Sequence, residues 1–260
     1  MSNPRLPVEL LDHVVDLLHG KEDALRNCCL VSKSWIPRTR KHLFALIEFH
    51  SPDDLKSWKE TFPDPSTSPA HHTETLSIGC PHVVTAADAE PGGWITGFSR
   101  VVHFDMVEKG FFSDQSRILL TPFHGFSPVV KFLSVNFISL PSSRVFNLIL
   151  SFPLLEDLIV TARRVIENSD GLSAAVQPSN PPIFTGSLEL FTKTGTELFA
   201  RQLLSSPGGI HFRKLMLTWF CDGDLSLTMA LMEECSSTLE SLDIVCYQNC
   251  TSTRHLRLHP

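Results

Sequence analysis

No part of the sequence approaches the eighteen or more consecutive apolar residues that carry a helix across a bilayer. The N-terminus has no apolar core of the kind that marks a secretory signal, so the expectation is a soluble, intracellular chain. Glycine is scarce, at 13 of 260 residues, and none of it builds a phosphate-cradling loop. A nucleophile elbow and a His-Glu-x-x-His metal signature are also missing. The closest approach to an elbow, Gly125-Phe126-Ser127-Pro128, lacks the second glycine, and its proline opposes the strand-to-helix turn. Seven cysteines make an odd set with no paired framework, which fits a reducing compartment. The net charge of −6 and tryptophans without interleaved basic residues argue against nucleic acid as a partner.

What the chain does have is apolar content, 42% of its residues, enough for a real core and against global disorder. Its charge is uneven. Residues 1–50 hold seven Lys/Arg against six Asp/Glu, and the remainder holds fifteen against twenty-two. The N-terminal segment is also distinctive in pattern. Pro7 suits the first turn of a helix, where its missing N–H costs nothing. Leu10, Val14, Leu17 and Leu18 follow at helical spacing, and Gly20 is a natural stop. A second helix is expected over Glu22–Leu30, with Glu22 and Asp23 at its positive end. A third is expected from Ser34 to about Leu46, with Pro37 in its first turn.

Three such helices in under fifty residues bury little surface alone. They nonetheless carry Leu6, Leu10, Leu11, Val14, Leu30, Val31 and Trp35, each worth about 1.5–3 kcal/mol when fully buried. These groups require a cover, either a partner or the rest of the chain. Lys33, Arg38, Arg40 and Lys41 add a local basic face.

The run Leu6-Pro7-Val8-Glu9-Leu10-Leu11, the later Leu30-Val31-Ser32-Lys33-Ser34-Trp35 and the closing Leu43-Phe44 and Ile47 resemble the F-box. The wording is close to that of the F-box-like proteins numerous in mushroom-forming fungi. The resemblance places an F-box at residues 4–48. It implies docking onto a Skp-type adaptor and through it a cullin, in an SCF-type ubiquitin ligase. By the same resemblance, Leu6, Pro7, Leu10, Leu11, Val14, Leu30, Val31 and Trp35 bury against the adaptor or order the helices that do. The chain would then select a protein substrate and perform no chemistry. It would work in the cytoplasm or nucleus with no cofactor, no nucleic acid and no membrane.

Beyond residue 50 a strand-like pair of apolar residues recurs: Leu76/Ile78, Val102/Phe104, Leu133/Val135, Leu158/Val160, Leu188/Leu190, Leu215/Leu217 and Leu242/Ile244. Intervals between first members are 26, 31, 25, 30, 27 and 27 residues, the period of a repeat architecture. Helix-compatible segments separate the later pairs, at Ser143–Phe152, Thr196–Leu204 and Leu225–Cys235. One strand and one helix per repeat resembles the leucine-rich repeat. The expectation is an α/β chain whose residues 49–260 form an irregular solenoid of parallel strands and helices. The Asn or Cys that such repeats place three residues after each pair is missing; those positions are Pro81, Val107, Ile138, Arg163, Lys193, Phe220 and Tyr247. Pro-rich or Gly-rich stretches at Phe62–Pro69, Ala86–Gly93 and Gln177–Pro182 read as surface loops. No polar terminal cap is evident after Ile244. A shortened family member, or an end covered by another chain, is therefore expected.

For chemistry, the sharpest metal candidate is Cys246-x3-Cys250-x4-His255-x3-His259, whose ligand types suit zinc but whose spacing is too tight for a ββα finger. Cys28-Cys29 reads as a pair of small apolar residues and His71-His72 as solvated. Trp219 reads as core. No catalytic residue and no metal ligand is assigned. The rival readings are a repeat-domain hydrolase or metal enzyme with a helical cap, and a repeat scaffold outside any ligase.

Overall fold

The computed structural model of the chain describes residues 7–79, 81–108, 123, 126–166, 181–192, 195–220, 225–248 and 252–258. Three helices come first: α1 (Val8–Asp16), α2 (Glu22–Val31) and α3 (Ile36–Leu43). Pro7 stands just ahead of α1, and its carbonyl accepts the N–H groups of Leu10 and Leu11 at 3.1 and 3.3 Å. Gly20 takes φ 78°, a left-handed conformation that costs glycine little, and turns the chain into α2. Pro37 lies in the first turn of α3, as its fixed φ and lost N–H require. The third helix is shorter than its pattern suggests, because residues 32–35 form a turn and Leu46 already belongs to a strand.

The remainder is a single nine-stranded sheet in strict chain order. Its strands are β1 (Leu46–Phe49), β2 (Thr75–Ile78), β3 (His103–Val107), β4 (Phe132–Pro141), β5 (Asp157–Ile166), β6 (Ser187–Thr192), β7 (Lys214–Phe220), β8 (Ser241–Gln248) and β9 (Ser252–Leu258). The first eight run parallel to one another, and β9 returns antiparallel against β8. The chain is thus α/β with an open parallel sheet. The expected F-box boundary at residue 48 cuts through β1, whose Leu46–Phe49 pair with Thr75–Ile78; the helical segment ends before Leu46.

Parallel neighbours require crossovers. Among the described residues four carry α-helices: α4 (Pro52–Thr61) between β1 and β2, α5 (Ser142–Leu150) after β4, α6 (Thr196–Leu204) after β6 and α7 (Leu225–Cys235) after β7. The last three match the expected helices closely. The sequence reading assigned no helix to Pro52–Thr61, although its start carries a capping box. Ser51 Oγ accepts from the Asp54 N–H at 3.2 Å, and the Asp54 carboxylate accepts from the Ser51 N–H at 2.9 Å.

Two ladders of inward side chains make the core. In register across the strands run Ile47, Leu76, Phe104, Leu133, Leu158, Leu188, Leu215 and Leu242. Two residues further along each strand, Phe49, Ile78, Met106, Val135, Val160, Leu190, Leu217 and Ile244 form the second ladder. The pair on β3 is therefore Phe104/Met106, and Val102 lies one residue before the strand. Alternation is blind to a slip of two residues along one strand, since both choices keep the same face. With Phe104 in place, the uneven intervals become 28 residues from Leu76 and 29 to Leu133. Ile47/Phe49 is an eighth pair, absent from the sequence count.

The helices close this face through Val145, Leu148 and Ile149 of α5, Phe199, Ala200 and Leu203 of α6, and Leu231 and Cys235 of α7. Between β2 and β4 aromatic residues do the same work, with Trp94, Phe98, Phe123 and Phe126 buried. Where the Asn or Cys of a regular repeat is missing, other side chains reach the backbone. The Glu108 carboxylate, for example, accepts the Ile138 N–H at 3.1 Å. At the far end, β9 supplies what the sequence did not advertise: an antiparallel strand that terminates the parallel series.

Candidate functional site

The three helices hold together through a small centre. Val15 is fully buried, Leu25 and Cys28 are nearly so, and Thr39 of α3 completes the contact. Beside it, Asp16 on α1 joins α3 by three hydrogen bonds. Arg38 donates through Nε to Asp16 Oδ1 at 2.6 Å and through Nη2 to Oδ2 at 2.5 Å, a forked arrangement suited to the planar guanidinium. His42 Nε2 lies 2.7 Å from Asp16 Oδ1. The Arg38 hydrogen bonds, then those of His42, hold the Asp16 carboxyl well below the usual carboxylate range. This clip pairs Arg38 with Asp16, and Lys33, Arg40 and Lys41 are the members of the expected basic face outside it.

With α1 fixed in this way, its other side faces solvent. Leu10, Val14 and Leu17 stand 52%, 47% and 67% exposed on one stripe at i, i+4 and i+7. Val8 at the helix start is exposed as well, and at the end of α2 Leu30 and Val31 are 86% and 69% exposed. Isolated exposed leucines are ordinary on protein surfaces. Six large apolar side chains on two helices of a fifty-residue segment are not, and such patches mark interaction sites.

Of the expected site residues, Pro7, Leu10, Val14, Leu30 and Val31 are at this surface. Leu11 and Trp35 are half-buried, with Trp35 at the entrance of α3, where its carbonyl accepts the Thr39 N–H at 2.9 Å. Leu6 lies outside the described residues. Val8 and Leu17 belong to the same patch and were not in the expected set. Leu17 was legible, because it continues the Leu10–Val14 spacing by one more turn.

Among the described residues, no group of three or more His, Cys, Asp or Glu side chains is placed to hold a metal. In the zinc candidate, Cys250 and His259 lie outside the described residues. The register sets Cys246 opposite Arg254 and His255 opposite Val245, so these two are not partners across the hairpin. Cys28 is buried and Cys29 half-buried, as neighbours on different helix faces should be. The His71 and His72 rings lie 4.0 Å apart, tilted by 49°, and burial lowers the pKa of His72, with the charge of His71 adding to it. Ser127, in the failed elbow, is buried and donates to the Val101 carbonyl at 2.9 Å. Among the described residues no helix is long and apolar enough to cross a membrane.

No family model, no curated protein and no solved structure matches this chain.

Proposed function

We propose that the chain is the substrate-receptor subunit of an SCF-type cullin–RING ubiquitin ligase. Its N-terminal helices act as an F-box that docks on a Skp-type adaptor, and its sheet region, as a leucine-rich-repeat-like solenoid, holds a target protein. The observation that carries this reading is the exposed stripe Leu10–Val14–Leu17 together with Leu30 and Val31. These are largely the positions that the F-box resemblance assigns to the adaptor. Burying each of them against a partner is worth about 1.5–3 kcal/mol before the costs of association. The receptor performs no bond chemistry; it raises the local concentration of target lysines near a loaded conjugating enzyme. The working compartment is the cytoplasm or the nucleus.

Co-expression with a fungal Skp-type adaptor tests the reading. The wild-type chain is expected to co-elute with the adaptor on size exclusion, and Leu10→Asp or Leu30→Asp to elute alone with an unchanged circular dichroism spectrum. A folded wild-type chain that leaves the adaptor behind would remove the ligase role.

A further inference from the structure

The face of the sheet opposite the helices carries its own pattern. Its second outward row contains four carboxylates, Glu48 on β1, Asp105 on β3, Glu189 on β6 and Asp243 on β8, and meets a cation only at its β9 end, at Arg257. Ile159 and Met216 lie in the same row, half-buried, with Phe132 in the row beside them. Apolar side chains at outward positions of an otherwise polar sheet face are the second part of the pattern. A shallow depression of about 360 Å³ sits over β6 to β8, lined in part by Glu189, Lys214, Met216 and Asp243. Arg257 of β9 is the register partner of Asp243, and His50 Nε2 lies 3.2 Å from Glu48. The anionic stretch is therefore centred on Asp105 and Glu189.

Resting on the receptor reading above, we infer that this face takes a basic, extended segment of the target polypeptide, laid across the strands. Lysine or arginine side chains would meet Asp105 and Glu189, and an apolar side chain between them would rest on Ile159. Strand spacing of about 4.8 Å puts Asp105 and Glu189, three strands apart, about 14 Å from each other. An extended chain rising about 3.3 Å per residue covers that distance in four residues, so the cations stand at i and i+4. Asp105 is poised for such a partner. Burial pushes its carboxyl above the usual range, and the Glu48 charge adds to this against the opposing effects of Ser134 and His103. An incoming cation stabilises the charged form.

The test uses the full chain and a fluorescein-labelled eleven-residue peptide with arginines at positions 4 and 8 and leucine at 6, read by fluorescence anisotropy. Binding is expected for this peptide and not for its glutamate counterpart. Asp105→Asn with Glu189→Gln is expected to weaken it at least tenfold. Glu233→Gln with Glu234→Gln, an equal loss of charge at exposed positions of α7, is expected to change it less than twofold. If the Asp105 substitution impairs folding, Glu189→Gln alone is read and should weaken binding about threefold or more. No binding by the wild-type chain, or equal weakening by both double variants, would overturn the inference. Adaptor co-elution measured on the same variants separates this outcome from the ligase reading. Peptide binding that survives without adaptor binding leaves the basic-segment surface and removes the receptor role.

Discussion

The helical segment and the sheet treat their apolar residues in opposite ways. Across β2 to β7 every step of the inner ladder meets an apolar neighbour on both sides, and residues such as Leu76, Phe104, Leu133 and Leu188 are fully buried. In α1 and α2 the centre is Val15, Leu25 and Cys28, while Leu10, Leu17, Leu30 and Val31 remain mostly in water. Similar residues are therefore buried in one region and left at the surface in the other. A repeat that stacks on its own copies can complete its core within the chain. Three short helices cannot, and their surplus apolar surface is available to another molecule.

The largest expected effect sharpens that contrast. Phe104→Ala empties a fully buried ladder position and should cost about 3–5 kcal/mol in denaturant unfolding. Leu30→Ala should stay within about 0.5 kcal/mol, because the side chain it removes is exposed. A comparable loss from both would erase the distinction between the two regions.

Next in size is the cap of α4. Ser51→Ala removes the acceptor for the Asp54 N–H and should destabilise the sheet's first edge by about 1 kcal/mol in the same unfolding measurement.

A smaller effect separates the regions by pH. Asp16 is held below the ordinary carboxylate range when folded, so its clip contributes fully above the unfolded pKa of about 3.9. The contribution fades as pH falls from there toward the folded value. Asp16→Asn should therefore melt earlier than wild type at pH 7, with the gap closing below about pH 4. Following the melt by Trp35 fluorescence, in a chain whose other tryptophans are replaced by phenylalanine, places the change in the helices. A gap that widens on acidification would contradict the assigned role of Arg38 and His42.

How far the sequence speaks depends on the kind of signal. The inward ladders were legible because alternation at a period near 28 residues is a backbone requirement repeated many times. The β3 register was not, because Val102, Phe104 and Met106 all satisfy the same alternation. β1 was hidden by its position at the end of the helical motif, where Ile47 fits either reading. α4 was announced only by Ser51 and Asp54, a short signal beside a proline-rich loop. β9 was hidden because its alternation amounts to Leu256 and Leu258 alone, in register with Ile244 and Leu242, too short a run to announce a strand. In the candidate site, the stripe on α1 followed from helical spacing, but its outward direction did not. That direction is set by the Asp16–Arg38–His42 clip, a contact between residues more than twenty positions apart.

The central claim is that the exposed apolar surface of α1 and α2 is where this chain meets its adaptor. Amide hydrogen exchange on the full chain, with and without a Skp-type adaptor, tests it most directly. The account predicts new protection confined to about residues 8–17 and 28–35, with β2 to β8 unchanged. A complex that forms while those helices stay unprotected, or that protects the sheet instead, would contradict it.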